Sequence, residues 1–196
     1  MAAGESSRMG SDKALLPWPP GAGGAAGSFL AGAIQSLNSF TDMVIVVVGE
    51  NEASLAPIVY ANGASLLRNP HPERGQFSSL QVGLRDVLNR GRDAAIVTLV
   101  DRPPASDATL RTLCDAFADS DIDQWALVPE YQGRHGHPFL IAREMMEAFL
   151  KAPATGTARE VEHQNQQHIS YVKVDDPAVT LNVNTPEDYS KLQTSF

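Results

Sequence analysis

Ala2-Ala3-Gly4-Glu5-Ser6-Ser7-Arg8-Met9-Gly10, closed by Asp12 and Lys13, is the stretch on which the reading of this chain turns. It has almost no hydrophobic periodicity, so it reads as a loop. Gly4 and Gly10 let the backbone take positive φ and approach a ligand closely. Successive turn amides form a concave nest for an anion. Arg8 adds a planar fork for phosphate oxygens, and Lys13 a mobile point charge. Two readings fit this composition: a loop that wraps a nucleoside triphosphate, and a frayed polar terminus. The stretch does not match G-x-x-x-x-G-K-[ST], which argues against an ordinary P-loop ATPase or kinase.

The rest of the composition narrows the partner. With 196 residues the chain suits one domain, residues 1–196, and 43% hydrophobic residues are enough for a core. The net charge is −8 and the pI near 5.0, so a small anion held by local cations is expected rather than a nucleic acid. The single cysteine, Cys114, excludes an intrachain disulfide and fits a reducing cytoplasm. The longest apolar run, residues 43–48, has the length of a strand and not of the ~20-residue membrane span.

Along the chain, strands and helices alternate as in a Rossmann-like, mostly parallel α/β sheet with helices on both faces. Pro17-Trp18-Pro19-Pro20 forbids a strand or helix interior. It therefore deprives the G-x-G-x-x-A match at 21–26 of the strand a dinucleotide fingerprint requires. Ser28 caps a helix carrying Phe29, Leu30, Ala33, Ile34 and Leu37 on one face. Residues 43–48 read as a strand buried on both faces, followed by a short helix from Glu52 and a weak strand at 65–67. Asn69-Pro70 opens a Pro/Gly loop that enters a helix through Gly75, Ser78 and Ser79. A helix start with hydroxyls suits an anion or a base edge, and a simple cap with a tight turn fits equally.

Ala94 to Val100 reads as the second strong strand and ends in Asp101-Arg102-Pro103. A carboxylate just past a parallel strand lies where open α/β sheets bind ligands. There it suits Mg²⁺, which takes one or two carboxylates and keeps waters, or else it caps the next helix. His135 and His137 have no further Cys/His neighbours to complete a zinc-type site. Thr185 and Pro186, with Glu187 and Asp188 behind them, make a strong helix start.

These segments resemble the MobA/MocA-like NTP transferases, the molybdenum cofactor cytidylyl- and guanylyltransferases, whose signature is L-A-A-G-x-S-x-R-M-G-x-x-K. The match runs from Ala2 to Lys13, with Met1 in place of the leucine. N-P-x-x-x-x-G-x-x-S-S-L matches from Asn69 to Leu80, L-x-D-x-P at Leu99, Asp101 and Pro103, and G-x-x-G-H-P at Gly133, Gly136, His137 and Pro138. The resemblance implies the nucleotide-diphospho-sugar transferase fold and Mg²⁺-dependent transfer of an NMP, from CTP by preference or GTP, onto a phosphorylated acceptor such as molybdopterin. Ala3 stands where GTP users tend to have a second glycine, hence the preference for CTP.

Residue by residue, the resemblance implies Arg8, Lys13 and Asp101 as catalytic. It places Ala2, Ala3, Gly4, Ser6, Arg8, Lys13, Asn69, Gly75, Ser78 and Ser79 on the nucleotide. It puts His137 on the acceptor side, to bond the acceptor or order the loop, and Asp101 and Asn184 on the metal; Arg159, at the start of a later helix, fits either a contact to the acceptor phosphate or a solvated arginine. Asn184 stands where many related pyrophosphorylases carry a second aspartate, and a neutral carbonyl is a weaker ligand for a hard cation. A molybdoenzyme is the protein partner implied. Related readings are a sugar-phosphate nucleotidyltransferase and a non-catalytic carrier of the cofactor. In that family a hydrophobic strand leads into the first loop. Here the chain starts at the loop, so the first strand is expected to be missing or truncated and the natural start to lie upstream of Met1.

Overall fold

The structure is a computed structural model and describes residues 1–3, 12–19 and 27–193. Strands β1 (Pro17–Trp18) and β2 (Gly27–Ser28) form a two-residue antiparallel ladder. The prolines were expected to forbid a strand here. This ladder escapes the rule because it is minimal and Pro17 stands at its first residue, where no interior donor is lost. Trp18 then stacks edge-on against Phe29, ring centroids 5.2 Å apart.

Helix α1 (Phe29–Asn38) starts at Ser28, whose hydroxyl accepts from the Ala31 amide. Strand β3 (Ile45–Val48), helix α2 (Glu52–Ala61) and strand β4 (Ser65–Arg68) make a βαβ unit with β3 and β4 parallel. Helix α3 (Gln76–Asn89) and strand β5 (Ala94–Val97) follow, then α4 (Asp107–Ala118), capped by Ser106. Strand β6 (Ala126–Tyr131) turns back through β7 (Arg134–His135) into β8 (Phe139–Ala142). Helices α5 (Arg143–Lys151) and α6 (Ala158–Gln164), strand β9 (Ile169–Lys173) and helix α7 (Pro186–Gln193) complete the chain. Thr157 and Glu160 form the reciprocal capping box that opens α6.

The sheet is mixed. β6 and β9 are parallel, whereas β8 runs antiparallel to both β5 and β6. The terminal residues fill the place between β3 and β5. The Ala2 amide donates to Val47 O at 2.8 Å, the Val100 amide to Met1 O at 3.1 Å, and the Met1 amine to Thr98 O at 2.9 Å. Met1 and Ala2 thus bridge β3 and β5 by backbone hydrogen bonds without forming a strand of their own, and Ala2 is buried. Alongside them an apolar groove of ≈590 Å³ separates β3 from β5, walled by residues such as Ile34, Val46, Leu84, Val97 and Phe117.

Packing explains why the strands are apolar without alternation. On one face α1, α2 and α4 bury Leu30, Ile34, Leu55, Val59 and Leu110 against Val46 and Val48. On the other, α3, α5 and α6 bury Phe77, Leu84, Met145, Met146, Phe149 and Val161 against Val97 and Ile141. A strand covered on both sides has no polar face to show. Every parallel strand therefore ends at one rim, and β8 begins at that rim because Phe139 pairs with Val97. No helix among the described residues is long and apolar enough to cross a membrane.

Candidate active site

The strand-end rim gathers Lys13 and Asp101, two of the charged residues singled out in the sequence. Lys13 belongs to a one-turn 3₁₀ helix, residues 13–15, capped by Asp12, whose Oδ1 accepts from the Ala14 amide at 3.0 Å. Its ammonium donates to Asn184 Oδ1 at 2.9 Å and lies 3.8 Å from Asp101 Oδ2. Both partners of this ion pair are shielded, with side chains 13% and 25% exposed, so its field is screened less than a surface pair's. Asp101 is held by its backbone, its carbonyl accepting from the Val183 amide at 2.8 Å. Asn184 is held by the start of α7: the Asn184 and Thr185 amides both donate to Asp188 Oδ2 at 3.0 Å. The Thr185–Pro186 helix start, legible in sequence, is thus what fixes Asn184.

Asp101 Oδ1 is buried and has no hydrogen-bond partner among the described residues. A buried, unsatisfied carboxylate oxygen is costly unless something else meets it. Arg102 does not take that role through a bond: its guanidinium donates to Leu181 O at 3.0 Å, and its Nε is another buried atom without a partner. Burial pulls the Arg102 pKa below its ordinary value while Asp101 pulls it back. The donor set of Asp101 and Asn184 is one hard anionic oxygen and one neutral carbonyl, which fits a divalent cation that keeps water and phosphate ligands. No group of three or more His, Cys, Asp and Glu suited to a metal exists among the described residues.

Asn69, Ser78 and Ser79 also come together, but they bond to one another. The Asn69 amide group donates to both serine hydroxyls at 2.9 Å, and its oxygen accepts from the His71 amide at 2.9 Å. All three are buried, so the knot shapes the loop between β4 and α3. Gly75 makes that loop possible, joining a 3₁₀ turn to α3 at φ +88°, where a side chain would be strained. Ala2 and Ala3 lie at the same rim: the Ala2 carbonyl accepts from Asn51, and the Ala3 carbonyl packs on Gly49. Gly4, Ser6 and Arg8 lie outside the described residues. Arg159 is exposed on the first turn of α6, where its charge acts on Glu162, and no contact among the described residues joins it to Lys13 or Asp101.

His137 stands just before β8. Its amide donates to Val179 O at 2.9 Å, and its buried Nδ1 has no hydrogen-bond partner among the described residues. Burial first, then the Arg102 guanidinium and the Met1 amine, push its pKa from 6.5 down to about 3. The ring is therefore neutral in the folded chain, while the unfolded chain protonates it below its ordinary pKa of 6.5. Between 6.5 and about 3 the unfolded state binds more protons, so stability falls as pH drops through that window, by up to ~1.4 kcal/mol per pH unit. Denaturant midpoints measured across the window should show this slope, and His137→Gln should flatten it. Equal slopes for the two chains would contradict the assignment.

Gly136 is required by close approach. A Cβ there would strike the Val179 carbonyl, which is backbone and has no rotamer to yield. Gly136→Ala should lower stability by about 1–3 kcal/mol, read as a lower urea midpoint at unchanged m. A midpoint equal to that of the wild type would show that the 136–179 contact is slack.

An ammonium, a carboxylate and a carboxamide thus converge at the strand ends of a two-faced α/β chain that has the nucleotide-diphospho-sugar transferase fold. The MobA-like NTP transferase domain matches residues 1–169, and the chain belongs to that family. A molybdenum cofactor guanylyltransferase from Xanthomonas euvesicatoria pv. vesicatoria (strain 85-10) is 30% identical over 202 residues, spanning 98% of this chain and 91% of its own. The molybdenum cofactor cytidylyltransferase of Escherichia coli (strain K12) is 26% identical over 190 residues, spanning 96% and 90%. The crystal structure of Rv0371c from Mycobacterium tuberculosis H37Rv, in complex with manganese, superposes with a TM-score of 0.76 at 22% identity, covering 99% of this chain and 95% of that one.

Proposed function

We propose that the chain moves an NMP from an NTP, CTP by preference and GTP as the alternative, onto a phosphorylated acceptor, molybdopterin, with release of pyrophosphate. The observation that carries this is Lys13 Nζ held between Asn184 Oδ1 and Asp101, beside a buried carboxylate oxygen that no hydrogen bond from the described residues satisfies. The cytidylyl- and guanylyltransferase relatives support the reaction class and the molybdenum cofactor as acceptor. The choice of CTP rests on Ala3.

In the reaction, an acceptor phosphate oxygen bonds to the α-phosphorus as the bond to the β-phosphate bridging oxygen breaks. Little covalent help is needed, and positioning with charge neutralisation does most of the work. Lys13 holds its charge against the triphosphate, and the backbone amides at the rim complete the cradle. Asp101 and Asn184 would hold a divalent cation, and the mycobacterial structure of the same fold, being a complex with manganese, supports a divalent metal in such a protein. That ion supplies neutralisation of phosphate charge when bound. His137, neutral and buried beside Arg102, orders the loop entering β8 on the acceptor side.

The test is a screen of four NTPs against molybdopterin and sugar phosphates, with and without Mg²⁺ or Mn²⁺, read as pyrophosphate release. Release with CTP or GTP and molybdopterin alone supports the proposal. Release only with a sugar phosphate transfers the chain to that acceptor class. Nucleotide binding with no release under any condition makes it a carrier.

A further inference from the structure

Asn51 stands where a helix cap belongs, at the start of α2, and asparagine is a favoured cap. Yet its side chain makes no capping bond. It turns toward the beginning of the chain instead. Its Nδ2 donates to the Ala2 carbonyl at 2.9 Å and to Asp12 Oδ2 at 2.7 Å, and its Oδ1 accepts from the Gly49 amide at 3.2 Å. Positions 2 and 12 flank the glycine-rich stretch, and they meet on one amide nitrogen. Asp12 spends its other oxygen on the Ala14 amide, and the residue between, Lys13, reaches Asn184.

We infer that Asn51 is a positioning residue that ties Asp12 to Ala2 and so sets Lys13, the residue after Asp12, beside Asp101 before nucleotide arrives. The inference rests on the proposed function, because its purpose is to present Lys13 to a triphosphate. The chemistry suits the task. A primary amide has two N–H donors, and here they serve a carbonyl and a carboxylate. An aspartate at position 51 would instead oppose acceptor to acceptor. Fixing Lys13 in advance spares the bound state part of the ordering cost, which otherwise reduces affinity.

Three variants test it: Asn51→Ala, Asn51→Asp, and Asn51→Asp combined with Asp12→Asn, which restores a donor opposite an acceptor. Two readouts are needed. Hydrogen–deuterium exchange at the Ala2 and Ala14 amides, taken without nucleotide, should quicken about tenfold in Asn51→Ala. The KM for the NTP should rise about tenfold in Asn51→Ala and further in Asn51→Asp, with part of that loss recovered in the exchanged pair. A merely structural role would lower the melting temperature without moving KM and without recovery. Unchanged exchange at both amides would overturn the clasp. If the wild type releases no pyrophosphate with any NTP, the proposed function fails, and the exchange measurement still decides whether Asn51 ties Asp12 to Ala2.

Discussion

Asp101→Ala should reduce pyrophosphate release by at least ~10³-fold, the several kcal/mol that a metal-bearing carboxylate supplies to a phosphoryl transition state. The fold should survive the change. The contact that holds this residue in place is made by its backbone carbonyl with the Val183 amide, which an alanine keeps. The side chain gives up its ion pair with Lys13, but its Oδ1 is buried with no hydrogen-bond partner among the described residues, so its removal also relieves a desolvation cost that offsets that loss. Thermal melting of the variant should therefore stay close to that of the wild type. Asp101→Asn is the sharper companion: it keeps the shape and removes the charge, and it should be nearly as inactive. Near-normal turnover in either variant would remove Asp101 from the mechanism.

Lys13→Ala should cost a comparable amount. A unit charge pair at 4 Å is worth roughly 4 kcal/mol at an effective dielectric near 20, or about 10³-fold in rate. A single loop amide contributes about 1 kcal/mol, so losing Lys13 outweighs losing any one hydrogen bond of the cradle. Lys13→Arg should not restore full activity. The pocket holds the ammonium at 2.9 Å from one carboxamide oxygen, and a planar fork cannot occupy that point without displacing Asn184. Single-turnover rates at saturating NTP, beside the nucleotide affinity, separate a loss of chemistry from a loss of binding. Wild-type rates in Lys13→Ala would show that the ammonium only braces Asn184.

Much of the architecture was legible because its signals are local. Ser28 and Thr185 mark helix starts by their capping chemistry, and each begins a helix. The unbroken apolar run ending at Val48 announced a strand covered on both faces, and helices cover it on both. The direction of β8 was not legible, since a short strand carries no mark of its partners. The Pro17–Trp18 ladder was missed because the rule against proline concerns strand interiors, and this strand has none.

The candidate site divides in the same way. Lys13, Asp101 and Asn184 were each marked by motif, and the fold brings them within contact of one another across 171 positions of chain. Asn69, Ser78 and Ser79 were marked as a group, and they do meet. Sequence cannot show that they spend their polar atoms on each other. Arg159 was chosen for its charge, and the fold leaves it exposed on α6. Asn51 was overlooked because its partners lie at positions 2 and 12, and only the folded chain puts them side by side.

The central claim is that a nucleoside triphosphate and its metal meet this chain between Lys13 and Asp101. Crystals grown with Mn²⁺ and a non-hydrolysable CTP analogue test it most directly through the anomalous signal of the metal. The account predicts an anomalous peak about 2–2.3 Å from an Asp101 oxygen, with a triphosphate oxygen on Lys13 Nζ. A bound nucleotide whose phosphates and metal touch neither residue would contradict it.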